Sequence, residues 1–217
     1  MKIENALTVR IKICGMTNAE DAVGAAELGA DAVGFVFAPS PRQVSAEKAR
    51  EIIMALPPFI QTVGVFVDED PGKVTSIADS CCLDMLQFHG KESAAYCRRF
   101  AQRVIKALRV KDQDRLEGCS DYSGVVAALL LDTYVPDRYG GTGRTFDWNL
   151  ARQAKRYGRI ILAGGLNPDN VAAAISAVKP YAVDASSGLE KEAGVKDHEK
   201  MARFIQAVRV TVHGVLE

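Results

Sequence analysis

Eight β/α alternations along 217 residues predict an α/β chain folded as a single-domain (β/α)8 barrel, the TIM-barrel architecture. Three observations carry this. Strand-like runs recur from end to end, each followed by a helix-like pattern, and the last unit ends in a helix. The length fits a compact member of a class that spans roughly 200–400 residues. An open doubly wound sheet is the other architecture the alternation allows, but it would show G-x-G-x-x-G after its first strand, where this chain reads CGMTNAE. We expect one catalytic domain over 1–217, with residues 1–7 a short N-terminal extension.

The first strand is TVRIKIC (8–14). Alternation places Val9, Ile11 and Ile13 on one face and Arg10, Lys12 and Cys14 on the other. In a barrel the aliphatic face packs on the outer helices and the second face points inward. Cys14 then sits at the C-terminal mouth, where such barrels place their chemistry, with Lys12 one layer below. A buried lysine needs a partner, which a strand-end carboxylate can supply.

Asn18 opens the next helix near Ala19, and the glycine of ELGAD hands over to the second strand, DAVGFVF (31–37). A stiff loop follows, Ala38-Pro39-Ser40-Pro41-Arg42, with an arginine at its tip. Ser45 then precedes a helix from Ala46. Strand three, IQTVGVFV (60–67), leads to a helix with Pro71 in its first turn. Strand four, DMLQFH (84–89), puts Gln87 and His89 on one face, with a helix expected from Glu92. RVIKAL (103–108) is the fifth strand, followed by a helix near Asp112.

Strand six, VVAALLLD (125–132), ends in Asp132. After it, Tyr139-Gly140-Gly141-Thr142-Gly143 concentrates glycines that permit close ligand approach or a mobile lid, or equally form a flexible surface turn, before a helix near Asp147. RIILAG (159–164) runs into Gly164, Gly165 and a helix with Pro168 in its first turn. YAVDA (181–185) carries Asp184 and runs into Ser186, Ser187 and Gly188, with the last helix from Asp197.

Glycine and serine after strands seven and eight form the usual phosphate cradle of such barrels, built on backbone N–H groups. Cys14, His89, Asp132 and Asp184 converge on the same rim. Each has a bland explanation taken alone: a strand cysteine as a small hydrophobe, a strand-end aspartate as a helix cap.

Acidic and basic residues balance at 27 each, which leaves no electrostatic footprint for nucleic acid or an anionic membrane. No apolar run approaches a bilayer span, and the N-terminus lacks a signal-peptide core. The five cysteines have no regular spacing and no C-x-x-C pair, and His89, His198 and His213 are dispersed. A disulfide framework and a zinc site are both disfavoured. The expectation is a cytoplasmic protein with reduced thiols, monomeric or homodimeric.

The segments KICGMT, GFVFAPSPR, VGVFVDE, LQFHGKE, LLLDTYVPDRYGGTGRTFDW, LAGGLNPDNV and VDASSGLE run through nearly the whole chain. Together they resemble the phosphoribosylanthranilate isomerase family of tryptophan biosynthesis. GGTGRTFDW and the Cys-Gly pair after strand one are the specific elements; AGGL and SSG are shared with other phosphate-binding barrels. The resemblance implies a cofactor-free Amadori rearrangement of N-(5-phospho-β-D-ribosyl)anthranilate to 1-(2-carboxyphenylamino)-1-deoxy-D-ribulose 5-phosphate. It implies Cys14 as general base, Asp132 as general acid and Arg42 as the grip on the anthranilate carboxylate. His89, Gly141, Gly164, Gly165, Asp184, Ser186, Ser187 and Gly188 are the further candidate substrate contacts.

Other readings remain at this point. The histidine-pathway isomerase performs the same rearrangement but uses an aspartate where Cys14 stands. An indole-glycerol-phosphate synthase would need a lysine constellation of which Lys106 is the single hint. A noncatalytic phosphometabolite-binding barrel would turn Cys14 or Asp132 away from the phosphate loops, and a pyridoxal-phosphate protein would use Lys106 as its Schiff base.

Overall fold

The computed structural model describes residues 8–109, 118–132 and 148–214. Eight parallel strands close into a barrel in sequence order: β1 Arg10–Cys14, β2 Ala32–Val36, β3 Gln61–Phe66, β4 Met85–Phe88, β5 Arg103–Arg109, β6 Ala128–Asp132, β7 Ile160–Ala163 and β8 Ala182–Ala185. The ring closes where β8 pairs with β1, Lys12 opposite Asp184. Strand parity then sorts the residues into two cores. Val63, Ile105, Ala107, Leu130, Ile161 and Ala182 fill the interior. Ile11, Ile13, Phe35, Leu86, Leu129 and Val183 face outward into the helical layer.

Three of the expected helix starts hold. Asn18 caps Ala19–Glu27 through the Asp21 N–H, Ser45 caps Ala46–Met54 and Asp70 caps Pro71–Cys81. Gly29 (φ 103°) and Gly158 (φ 153°) make the handovers to the next strands.

Four local expectations are corrected. Arg10 does not enter the barrel; it stays exposed at the bottom rim, donating to Asp31 at 2.7 Å. Strand six is shorter than expected, because the N–H groups of Val125 and Val126 bond the Tyr122 carbonyl in a turn before Ala128. Glu92 starts no helix: Ser93 caps a single turn, Ala94–Cys97, and Glu92 is buried against Lys106. The helix after β7 begins at Val171, since Asn167 and Asn170 use their side chains to hold a turn across Pro168.

Between β8 and the final helix His198–Gly214, the chain forms an unanticipated antiparallel hairpin, β9 Glu190–Glu192 and β10 Val195–Lys196. The helix expected near Asp112, the glycines around Gly141 and the helix start at Asp147 lie outside the described residues.

Candidate active site

A cavity of about 420 Å³ opens at the C-terminal mouth, and every described candidate residue borders it. Cys14 comes from β1, His89 from the end of β4, Asp132 from β6 and Asp184 from β8. Arg42 reaches in from the loop after β2. Gly164 and Gly165 come from the loop after β7, and Ser186, Ser187 and Gly188 from that after β8.

Cys14 is buried against Gly34, its register partner on β2. A Cβ at Gly34 would stand 2.7 Å from the Cys14 sulfur and 3.2 Å from Lys12 Nζ. That glycine leaves the room in which thiol and ammonium lie side by side. Lys12 Nζ donates to both oxygens of Asp184 at 3.0 Å, so the expected strand-end carboxylate is found. Burial alone would favour loss of the Lys12 proton, but Asp184 together with Cys14 more than offsets this and holds the ammonium above its usual pKa.

The thiol behaves differently. Burial pushes Cys14 above its ordinary value; Lys12 pulls against this and Asp184 adds to the rise. Lys12 therefore favours the thiolate without overcoming desolvation, and the net shift of Cys14 is upward.

On the opposite wall, His89 Nε2 lies 3.3 Å from Asp132 Oδ2, and His89 Nδ1 lies 3.3 Å from the Gln87 side-chain nitrogen. Gln87 is buried beneath the mouth. Alternation on β5 also brings in Arg109, opposite Asp132 in register and on the cavity wall.

The loops after β7 and β8 are shaped by backbone needs. Gly164 and Gly165 have φ of 85° and 69°, a region that favours glycine. A Cβ at Gly188 would lie 2.1 Å from the Leu166 carbonyl oxygen, so the two loops touch at a point that excludes any side chain. A short 3₁₀ turn, Ser187–Leu189, follows β8.

Arg42 is not a solvated loop tip. Its Nε and Nη2 donate to Glu190 Oε1 and Oε2 at 2.7 and 2.6 Å. Lys196 donates to Glu190 at 2.8 Å and to the Cys14 carbonyl at 2.7 Å. Hydrogen bonds from Arg42 and Lys196 outweigh the effect of burial and hold Glu190 below the usual carboxylate range.

Sequence reasoning misses Glu190, Lys196 and Arg109. Parity after Ile105 and Ala107 could have found Arg109, whereas Glu190 and Lys196 sit in a charged run with no local signal. The Schiff-base role weighed for Lys106 fails. Its Nζ lies outside the barrel, donating to Glu92 at 2.8 Å and to the Gly90 carbonyl at 2.7 Å.

The chain matches known proteins along almost its whole length. Residues 11–207 match the family described as N-(5'phosphoribosyl)anthranilate (PRA) isomerase. An N-(5'-phosphoribosyl)anthranilate isomerase from Pelobacter propionicus is 51% identical over 94% of this chain and 97% of its own length. The crystal structure of phosphoribosyl anthranilate isomerase from Thermotoga maritima superposes with a TM-score of 0.87 at 46% identity, covering 94% of this chain and all of that one. A second solved isomerase (TM-score 0.85, 44% identity, 94% of this chain and 100% of that one) is in complex with reduced 1-(o-carboxyphenylamino)-1-deoxyribulose 5-phosphate. With the family matched across almost the whole barrel, this chain belongs to the N-(5'-phosphoribosyl)anthranilate isomerases of tryptophan biosynthesis, intramolecular aldose–ketose isomerases.

Proposed function

We propose that the mouth carries out the family's isomerisation as an Amadori rearrangement by general acid–base catalysis, with Asp132 as acid and Cys14 as base. The observation that carries this is that both border one cavity, from β6 and β1, with the phosphate-type loops of β7 and β8 between them. Asp132 delivers a proton to the furanose ring oxygen as the anthranilate nitrogen pushes open the ring, leaving an imine at C1. The Cys14 thiolate removes the C2 proton that the imine acidifies. The enolamine then takes a proton at C1 while the C2 hydroxyl becomes the ketone, so atoms and electrons balance within the substrate. Cys14 must first lose its own proton, which burial disfavours, and Lys12, with a smaller contribution from Lys196, favours the charged form.

The two ends of the substrate are divided between loops. Backbone donors around Gly165, Ser187 and Gly188 hold the phosphate, with Gly164 and Ser186 shaping the cradle. Arg42 holds the anthranilate carboxylate from the other side of β1. His89 bears on Asp132, Asp184 anchors Lys12, and Gly141 stands as a proposed contact from the loop after β6. The substrate is a small phosphorylated molecule, turned over in the cytoplasm by a one-domain chain of which residues 1–7 are an extension.

The test is consumption of freshly generated phosphoribosylanthranilate, followed by loss of its fluorescence. Turnover that disappears in Cys14→Ala supports the reading. An inactive wild-type protein that still binds the reduced product analogue would favour a noncatalytic barrel instead.

A further inference from the structure

The carboxylate end of the proposed site has a support that reaches back to the catalytic strand. Arg42 lays the side edge of its guanidinium, Nε and Nη2, on the two oxygens of Glu190. Side-on pairing leaves the Nη1–Nη2 end of the fork for a second planar anion. Glu190 is 8% exposed and opens the hairpin that follows the phosphate-type loop. The same carboxylate takes Lys196, which is fully buried and also donates to the Cys14 carbonyl. One acid thus ties the guanidinium to the backbone of Cys14. Gly15 adds to the confinement, since a Cβ there would lie 2.6 Å from Arg42 Cδ.

We infer that Glu190 is a positioning residue for carboxylate recognition: it locks Arg42 with the end of its fork toward the cavity, so that the substrate carboxylate meets a fixed guanidinium. This rests on the Arg42 reading above. A preset arginine loses less side-chain freedom on binding than a swinging one. The charge of Glu190 acts in the opposite direction. Neutralising it would change two cations and one anion into two cations, and on charge alone a carboxylate ligand would bind more tightly. Positioning and charge therefore give opposite signs for one substitution.

Steady-state kinetics on freshly generated phosphoribosylanthranilate, with wild type, Glu190→Gln, Arg42→Ala and the double variant, separates them. In Glu190→Gln we expect KM to rise about tenfold with kcat within about twofold, the pattern of lost uniform binding. Competition by inorganic phosphate stays unchanged. In the Arg42→Ala background the same substitution adds less than about twofold, because the residue it positions is gone. A falling KM in Glu190→Gln, or an equal rise in both backgrounds, overturns the inference alone. An unchanged KM in Arg42→Ala overturns the Arg42 reading and the inference with it. Should Glu190→Gln not fold, Glu190→Asp keeps the charge but shortens the reach; the same KM rise supports positioning and an unchanged KM overturns it. In the wild type, a slowly exchanging Arg42 Nε–H in ¹⁵N NMR is the expected signature, and an averaged, rapidly exchanging one contradicts it.

Discussion

Lys12 on β1 and Lys106 on β5 are both buried on barrel strands, 4% and 1% exposed, and both are paired with a carboxylate, yet they face opposite sides of the sheet. Lys12 points inward, where Asp184 fixes it beside Cys14. Lys106 points outward, where it donates to Glu92 and to the carbonyls of Phe88 and Gly90. Glu92 in turn accepts from the N–H groups of Asp68 and Gly90, so this pair closes the loop that follows β4. The side chain and its partner type are the same in the two places. What separates the lysine that faces the mouth's side of the sheet from the one that faces the helical layer is the parity of its strand position.

In the proposed mechanism the inward face serves Cys14 and Asp132, and the largest effects are expected there. Cys14→Ala is expected to lower kcat by about 10²–10⁴ with the fold intact, and Asp132→Asn to do the same with the product analogue still bound. An Asp132→Asn protein that kept turnover at saturation but lost analogue affinity would make Asp132 a binding residue.

Next in size is the outward pair. Lys106→Met leaves Glu92 buried and unpaired, which costs about 3–5 kcal/mol in urea unfolding. The kcat/KM of the folded fraction should stay at the wild-type value. A change in its pH profile would mean that the outward pair reaches the mouth after all.

A differently shaped effect belongs to Lys12→Met, read on its folded fraction because this change too leaves a buried carboxylate, Asp184, without its cation. Removing the cation that favours the thiolate moves the ascending limb of kcat/KM to higher pH. Activity at neutral pH then falls about tenfold for every pH unit the limb moves. An unmoved limb would show that Lys12 serves packing only. Smallest of all is Cys82→Ser: this thiol is exposed and far from the mouth in the helix-ending turn after Cys81, and no change in kcat is expected.

Much of the site is legible in the amino-acid sequence. Cys14, Lys12, Asp132 and Asp184 follow from two-residue alternation plus a closed barrel, because parity and strand end together determine which side chains meet at the mouth. Gly164, Gly165 and Gly188 follow from topology, since β7 and β8 carry the loops that phosphate-binding barrels use. What stays hidden depends on pairing across long separations. Arg42 meets Glu190 148 positions away, and nothing local to either residue announces the other. Ser93 and Ala94 give Glu92 the look of a helix start; its burial depends on Lys106, on the next strand. The sense of the Cys14 shift is also out of reach of pattern, since it depends on how far burial outweighs a cation whose charge is largely answered by Asp184.

If the general base is the buried Cys14 thiol, as proposed, the pH dependence of wild-type kcat/KM follows its ionisation, because that ratio reports the free enzyme's titrating groups. Burial raises the Cys14 thiol, so its reactive form is scarce at neutral pH and increases as pH rises. We expect kcat/KM to climb about tenfold per pH unit through neutrality and to level off only above the ordinary thiol value of ~8.5. A plateau already reached below about pH 7 would contradict a base that is a thiol raised by burial above its ordinary value.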